Sequence, residues 1–84
     1  MNKRKLLERL LAGSKNIHFG DLVACAEAFG FRLSRVRGSH HIVVHPDLPE
    51  QLNLQDAGGK AKPYQVKQFL RLVEAYHLQM KDEE

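Results

Sequence analysis

The chain has 84 residues, 43% of them hydrophobic and 27% charged, with one cysteine and a formal charge of +3. This predicts one small folded domain and not a disordered chain. A lone Cys25 excludes an internal disulfide and fits a reducing, cytoplasmic setting, and no apolar run is long enough for a membrane helix.

The charge is uneven. Twelve of the thirteen Lys and Arg residues precede position 72, and the chain finishes Asp82-Glu83-Glu84. The part before the tail is therefore more basic than the total, a surface suited to a polyanion or an acidic protein. At the other end, Leu6, Leu7, Leu10 and Leu11 recur at helical spacing among Lys3, Arg4, Lys5, Glu8 and Arg9. The spacing predicts an amphipathic helix over 3–12 that stops near Gly13, and the Glu8-Arg9 pair is wrong for a signal-peptide core.

A second helix is expected in "FGDLVACAEAFG", with Asp21 as N-cap, a stripe of Leu22, Cys25, Ala26 and Phe29, and Gly30 at its end. Cys25 falls in that stripe and reads as a buried thiol. "FRLSRV" alternates, with Phe31 and Leu33 on one side and Arg32 and Ser34 on the other. "RGS" is a turn, and "HHIVVH" is a second strand paired with the first. "PDLPE" is a loop, "QLNLQ" a short third strand with Leu52 and Leu54 on one face, and "DAGGKAK" another loop. Pro63 suits the first turn of a final helix whose stripe is Val66, Phe69, Leu70, Val73 and Tyr76. The expected fold is α+β: a three-stranded antiparallel sheet covered by the two later helices, with an additional N-terminal helix.

Three histidines, His40, His41 and His45, crowd the second strand. A shared metal ion is disfavoured. On a strand His41 and His45 stand about 13 Å apart, and the adjacent His40 and His41 point to opposite faces. His18 and His77 read as a loop residue and a helix-end residue. His40 directly follows the Gly38-Ser39 turn, where backbone can approach a ligand closely, and its imidazole can exchange a proton near neutral pH. Arg35 and Arg37 precede it and can hold a phosphate by charge-assisted hydrogen bonds. A base beside a phosphate clamp suits RNA cleavage, because the ribose 2′-hydroxyl supplies the nucleophile.

"GFRLSRVRGSHHIVVHPD", then a short strand, a glycine-containing loop, "KPYQVKQFL" and an apolar end, resembles the HicA-type toxins over roughly residues 19–78. The resemblance implies a division into an N-terminal helical extension (1–18), a HicA-like core (19–78) and an acidic tail (79–84). It implies a fold similar to the double-stranded RNA-binding domain. It also implies an mRNA interferase of a type II toxin–antitoxin module, acting without metal or small-molecule cofactor and covered by a HicB-type antitoxin. Carried over by position, the catalytic residue is His40, with His41 as the alternative because some members place the histidine one step later. His45 matches a family position without a catalytic role. Two departures stand out. Asp56 occupies the region where the family's third strand runs into proline and a basic residue or histidine, which implies loss of a supporting phosphate contact. The helix of residues 3–12 is an addition that extends the core or alters the antitoxin interface.

The loop "GGKAKP" offers flexible backbone amides, and Lys60 and Lys62 precede a helix N-terminus. Both lysines are expected RNA contacts, with Ser39 in the turn and Lys67 one turn into the helix. Lys67 and Arg71 equally suit a solvated helix face. Tyr64 can stack on a base or cap the core. Three functions remain open: an endoribonuclease toxin, a non-catalytic RNA-binding module, and a protein-interaction subunit whose basic face meets an acidic partner.

Overall fold

The computed structural model describes residues 3–13 and 15–80. The tail acids Asp82, Glu83 and Glu84 lie outside the described residues. The elements are α1 (Lys3–Ala12), α2 (Phe19–Ala28), β1 (Arg32–Arg37), β2 (His40–Val44), β3 (Gln51–Ala57), β4 (Lys60–Ala61) and α3 (Pro63–Ala75). The strands form one antiparallel sheet in the order β1-β2-β3-β4. The α+β expectation holds, and the arrangement is compatible with a double-stranded RNA-binding-domain-like fold carrying an extra N-terminal helix. The loop expected at "DAGGKAK" is instead the end of β3, a tight turn and the two-residue β4. Gly58 and Gly59 have φ of 64° and 89° between the paired residues Ala57 and Lys60. Positive φ at both central positions is what a type I′ hairpin turn requires.

Residues opposite one another in register share a sheet face. Val43 and Leu52 form one such pair, and Leu54 lies two residues along β3. These side chains join Leu22, Cys25, Ala26 and Phe29 of α2, Val66 and Phe69 of α3, and Leu10 of α1 in a common core. Phe69 meets both Phe29 and Phe31 edge-on, at 5.8 and 5.9 Å between ring centroids. The other face of the sheet is open. Ile42 is buried there without belonging to the core, flanked in register by Arg35 and Asn53, as expected where long polar side chains cover an apolar neighbour.

Three local expectations change. Asp21 is not the cap of α2. His18 occupies the N-cap position with no side-chain cap bond, and Asp21 sits in the first turn, where its Oδ2 accepts from Arg9 Nη1 at 3.3 Å. Leu33 points toward the helix side but stays 51% exposed, as does Val36 at 52%, because the helices pack over β3 and β4 and leave β1 overhanging. Tyr76 is also exposed, and its hydroxyl donates to Glu50 Oε1 at 2.8 Å, which ties the end of α3 to the loop before β3. That hydrogen bond raises the phenol above its ordinary pKa.

Both later helices end in the same way. Gly30 takes φ 101° after α2, and Phe31 N–H bonds Ala26 O at 3.1 Å. His77 takes φ 54° after α3, and Leu78 N–H bonds Val73 O at 2.9 Å. This is the Schellman pattern, which favours glycine at the left-handed position. His77→Gly is therefore expected to raise stability by about 0.5–1 kcal/mol, less than the full steric relief because glycine also loosens the unfolded chain. Thermal melting should show an upward shift of ~2–8 °C.

Cys25 is fully buried, and burial pushes its thiol from 9.0 to about 11. A thiol reagent at pH 7.5 should leave it unmodified until denaturant is added. The raised value also sets a pH window. The protonated thiol's contribution is fully present below the unperturbed value of 9.0, and it is lost as pH rises toward about 11.

Candidate functional site

The candidate site forms where the turn-bearing ends of the sheet meet the start of α2. Gly38 and Ser39 make a two-residue turn between the paired Arg37 and His40. Gly38 has φ 59°, the left-handed conformation a hairpin of this type demands at its first central position. Phe19 N–H, at the start of α2, donates to Gly59 O at 2.9 Å, and His18 bridges Lys60. Asp56 N–H donates to Ser39 O at 2.8 Å, which brings the two turns side by side. Gln55 Nε2 reaches Ser39 Oγ at 3.5 Å.

A β-bulge decides which cations face which histidine. Leu33 pairs with Val43, but Arg35 pairs with Ile42, so an extra residue enters β1 between them. Strict alternation would send Arg35 and Arg37 to Leu33's side of the sheet. The bulge shifts them to the open face, where Arg37 stands directly opposite His40 and Arg35 lies one row along. Gln55 flanks His40 on the other strand, and Asn53 sits diagonally. Lys60 pairs with Ala57, which shares Gln55's side, so it belongs to the same face. Lys62 is the N-cap residue of α3. Arg35, Arg37, Ser39, His40, Lys60 and Lys62 are thus gathered at or near this end. Lys67 is not. It lines a groove between α1 and α3 on the helix layer.

The three histidines have distinct environments. His40 is exposed, and its Nδ1 lies 3.0 Å from Asn53 Oδ1. An amide oxygen only accepts, so Nδ1 carries the proton and Nε2 is left with a free lone pair. His41, half-buried on the helix side, packs against the Phe19 ring at 4.8 Å, and its Nδ1 faces Ser39 O at 3.4 Å. His45 is buried. Its Nε2–H donates to Phe29 O at 3.0 Å, and its Nδ1 accepts from Asp47 N–H at 3.0 Å. With both nitrogens engaged and the ring edge-on to Phe31 at 5.2 Å, His45 joins the end of α2 to the loop after β2. His18 and His77 remain at a helix start and a helix end.

A family model described as the HicA toxin of bacterial toxin–antitoxin matches residues 19–74. The chain belongs to the HicA toxin family. No curated protein matches it. Membership makes this HicA-family chain the toxin of a toxin–antitoxin pair, with an antitoxin as partner. The match spans both hairpins and all but the last residue of α3, and it leaves α1 outside.

Sequence reasoning missed two residues that support the site. Asn53 orients His40, and nothing marks it until the strand register places it diagonally from that ring. Gln65 is buried at the start of α3; its Oε1 accepts from Gln55 N–H at 2.8 Å, and its Nε2 donates to Asn53 O. Since β4 pairs only with Asp56 and Ala57, this side chain completes the edge of β3 that β4 is too short to reach. Asp56 has a structural task too, its Oδ1 accepting from Gly59 N–H at 2.7 Å in the glycine turn. Among the described residues no three metal-ligating side chains cluster, no helix is long and apolar enough to cross a membrane, and no buried side-chain polar atom lacks a partner.

Proposed function

We propose that this HicA-family toxin is an endoribonuclease acting on mRNA, with His40 as its proton-transfer residue and a HicB-type antitoxin as its inhibitor. The observation that carries the reading is the held imidazole: Nδ1–H is engaged by Asn53, Nε2 is open to solvent, and Arg37 is its cross-strand neighbour. Nε2 takes the proton of a ribose 2′-hydroxyl, and the 2′-oxygen attacks the adjacent phosphorus. The 5′-oxygen leaves with a proton from solvent or a neighbouring acid. The products are a 2′,3′-cyclic phosphate and a 5′-hydroxyl. Arg35, Arg37 and Lys60 stabilise the charge on the phosphate, Ser39 and Lys62 hold the flanking strand, and the sequence of steps requires no metal.

A second position for the base, His41, is supported by its own hydrogen bond to Ser39 O, which also leaves Nε2 unprotonated. A non-catalytic RNA-binding module is favoured by one feature, the Asp56 carboxylate at the turn where the family carries a basic group. The test is incubation of purified chain with single-stranded and structured RNA in the presence of a chelator, followed by end analysis. Cyclic phosphate ends are expected. Salt-sensitive RNA binding with intact RNA would instead assign the chain to the binding module. No affinity at low salt would leave only the interaction with protein.

A further inference from the structure

The helix layer carries a feature that the RNA-facing chemistry does not use. An open groove of about 580 Å³ runs between α1 and α3, lined by Leu7, Leu11, Lys67, Leu70, Arg71, Val73 and Glu74. No strand residue lines it, so it lies on the side of the sheet away from His40. Leu11 is 63% exposed at its edge, and Leu7, Leu70 and Val73 are only partly covered. An apolar trough between two helices is the kind of surface on which an amphipathic helix lays its apolar face.

We infer that this groove receives an acidic amphipathic helix from the antitoxin partner. Charge selects the occupant. Lys67 and Arg71 stand one turn apart on the α3 wall, against the single acid Glu74. The α1 wall belongs to a helix that carries Lys3, Arg4 and Lys5 against one acid, Glu8, while its Arg9 is paired with Asp21 of α2. A second copy of this chain would bring the same cations face to face, an arrangement that costs rather than stabilises. A partner helix with a leucine-type stripe and flanking Glu or Asp meets both the floor and the rim. α1 lies outside the matched family region, so the Leu7 and Leu11 wall of this contact belongs to the chain's own extension, while the α3 wall lies within the matched region. It is a route by which this toxin distinguishes its antitoxin from those of related pairs. The inference rests on the antitoxin partnership and is independent of which histidine transfers the proton.

The test uses the full chain carrying His40→Ala, so that binding is measured apart from cleavage. Two synthetic amphipathic helical peptides share one leucine face, one flanked by Glu and the other by Lys. The acidic peptide is expected to bind, to perturb the methyl resonances of Leu7, Leu11, Leu70 and Val73, and to weaken with salt. Leu11→Glu and Arg71→Glu should each reduce its affinity at least ~10-fold, a loss of ~1.4 kcal/mol or more. Leu11→Glu should weaken the antitoxin complex similarly, and in the His40 chain it should leave RNA cleavage unchanged. Equal binding of both peptides, binding outside the groove, or an antitoxin affinity indifferent to Leu11→Glu would overturn the inference. So would a dimer of this chain that Leu11→Glu dissociates, since the occupant would then be a second copy. Loss of RNA cleavage by the His40 chain under all conditions would count against the nuclease reading and leave these binding outcomes intact.

Discussion

His40→Ala should lower the rate of RNA cleavage by about 10²–10⁴-fold while leaving the fold and most RNA affinity in place. The ring is exposed, so truncation opens no cavity, and its one side-chain hydrogen bond is to the exposed Asn53. Asn53→Leu should reduce cleavage by a smaller factor, on the order of 10-fold, because the imidazole survives and only its tautomer and orientation are released. Arg37→Ala should act differently from both. It removes a phosphate contact, so RNA affinity should weaken across sequences and the salt dependence of binding should flatten by about one unit of slope. Cleavage kinetics on a defined oligonucleotide, with affinity measured at several salt concentrations, separate the three. Full activity in His40→Ala and none in a folded His41→Ala would move the proton transfer to the helix-side histidine.

Gln65→Leu should be among the most damaging single substitutions outside the apolar core, costing about 2–5 kcal/mol. The new side chain has similar bulk, so packing is nearly conserved. What is lost is the pairing of two part-buried backbone groups, Gln55 N–H and Asn53 O, each of which costs about 1–3 kcal/mol when left unsatisfied. In a domain of this size that is a large part of total stability, and denaturant titration should show it as a lowered midpoint. Gln65→Glu keeps the acceptor for Gln55 N–H but turns a carboxylate oxygen toward Asn53 O in a buried place, so it should cost at least as much as Leu at neutral pH. The effect reaches the site as well. Asn53 holds His40 through its side chain and is itself held through its backbone by Gln65, so at denaturant levels where Gln65→Leu remains folded its cleavage rate should still fall.

Much of this architecture could be read from the residues. Pro63 followed by Val66 and Phe69 located α3, Gly30 located the end of α2, and Gly38 before Ser39 located the first hairpin. The opposite faces of His40 and His41 followed from strand parity alone. What escaped was set by tertiary context. The bulge at Ser34 has no composition that marks it, yet it decides that Arg35 and Arg37 share a face with His40. β4 is too short to show periodicity, although its Gly58-Gly59 turn carried the hairpin signal. The amide type of Gln65 does not mark it as buried, and only its position does. It lies four residues before Phe69 and next to Val66, on the side of α3 that faces the sheet. Leu33 alternates with Phe31 yet stays exposed, because alternation reports only the direction of a side chain and the extent of the helical cover above it comes from the packed fold; Val36 reaches that side only through the bulge.

The overhang of β1 has a practical outcome for handling the protein. A sheet margin with two bare aliphatic groups invites another molecule's strand to zip alongside. Here Arg32, Arg35 and Arg37 sit along that margin, and two such margins repel electrostatically before their backbones can join. Concentrated salt shortens the reach of that repulsion to a few ångströms. Stocks of the isolated toxin should therefore stay clear in dilute buffer and become turbid as ionic strength climbs, the reverse of a protein that precipitates by pairing opposite charges.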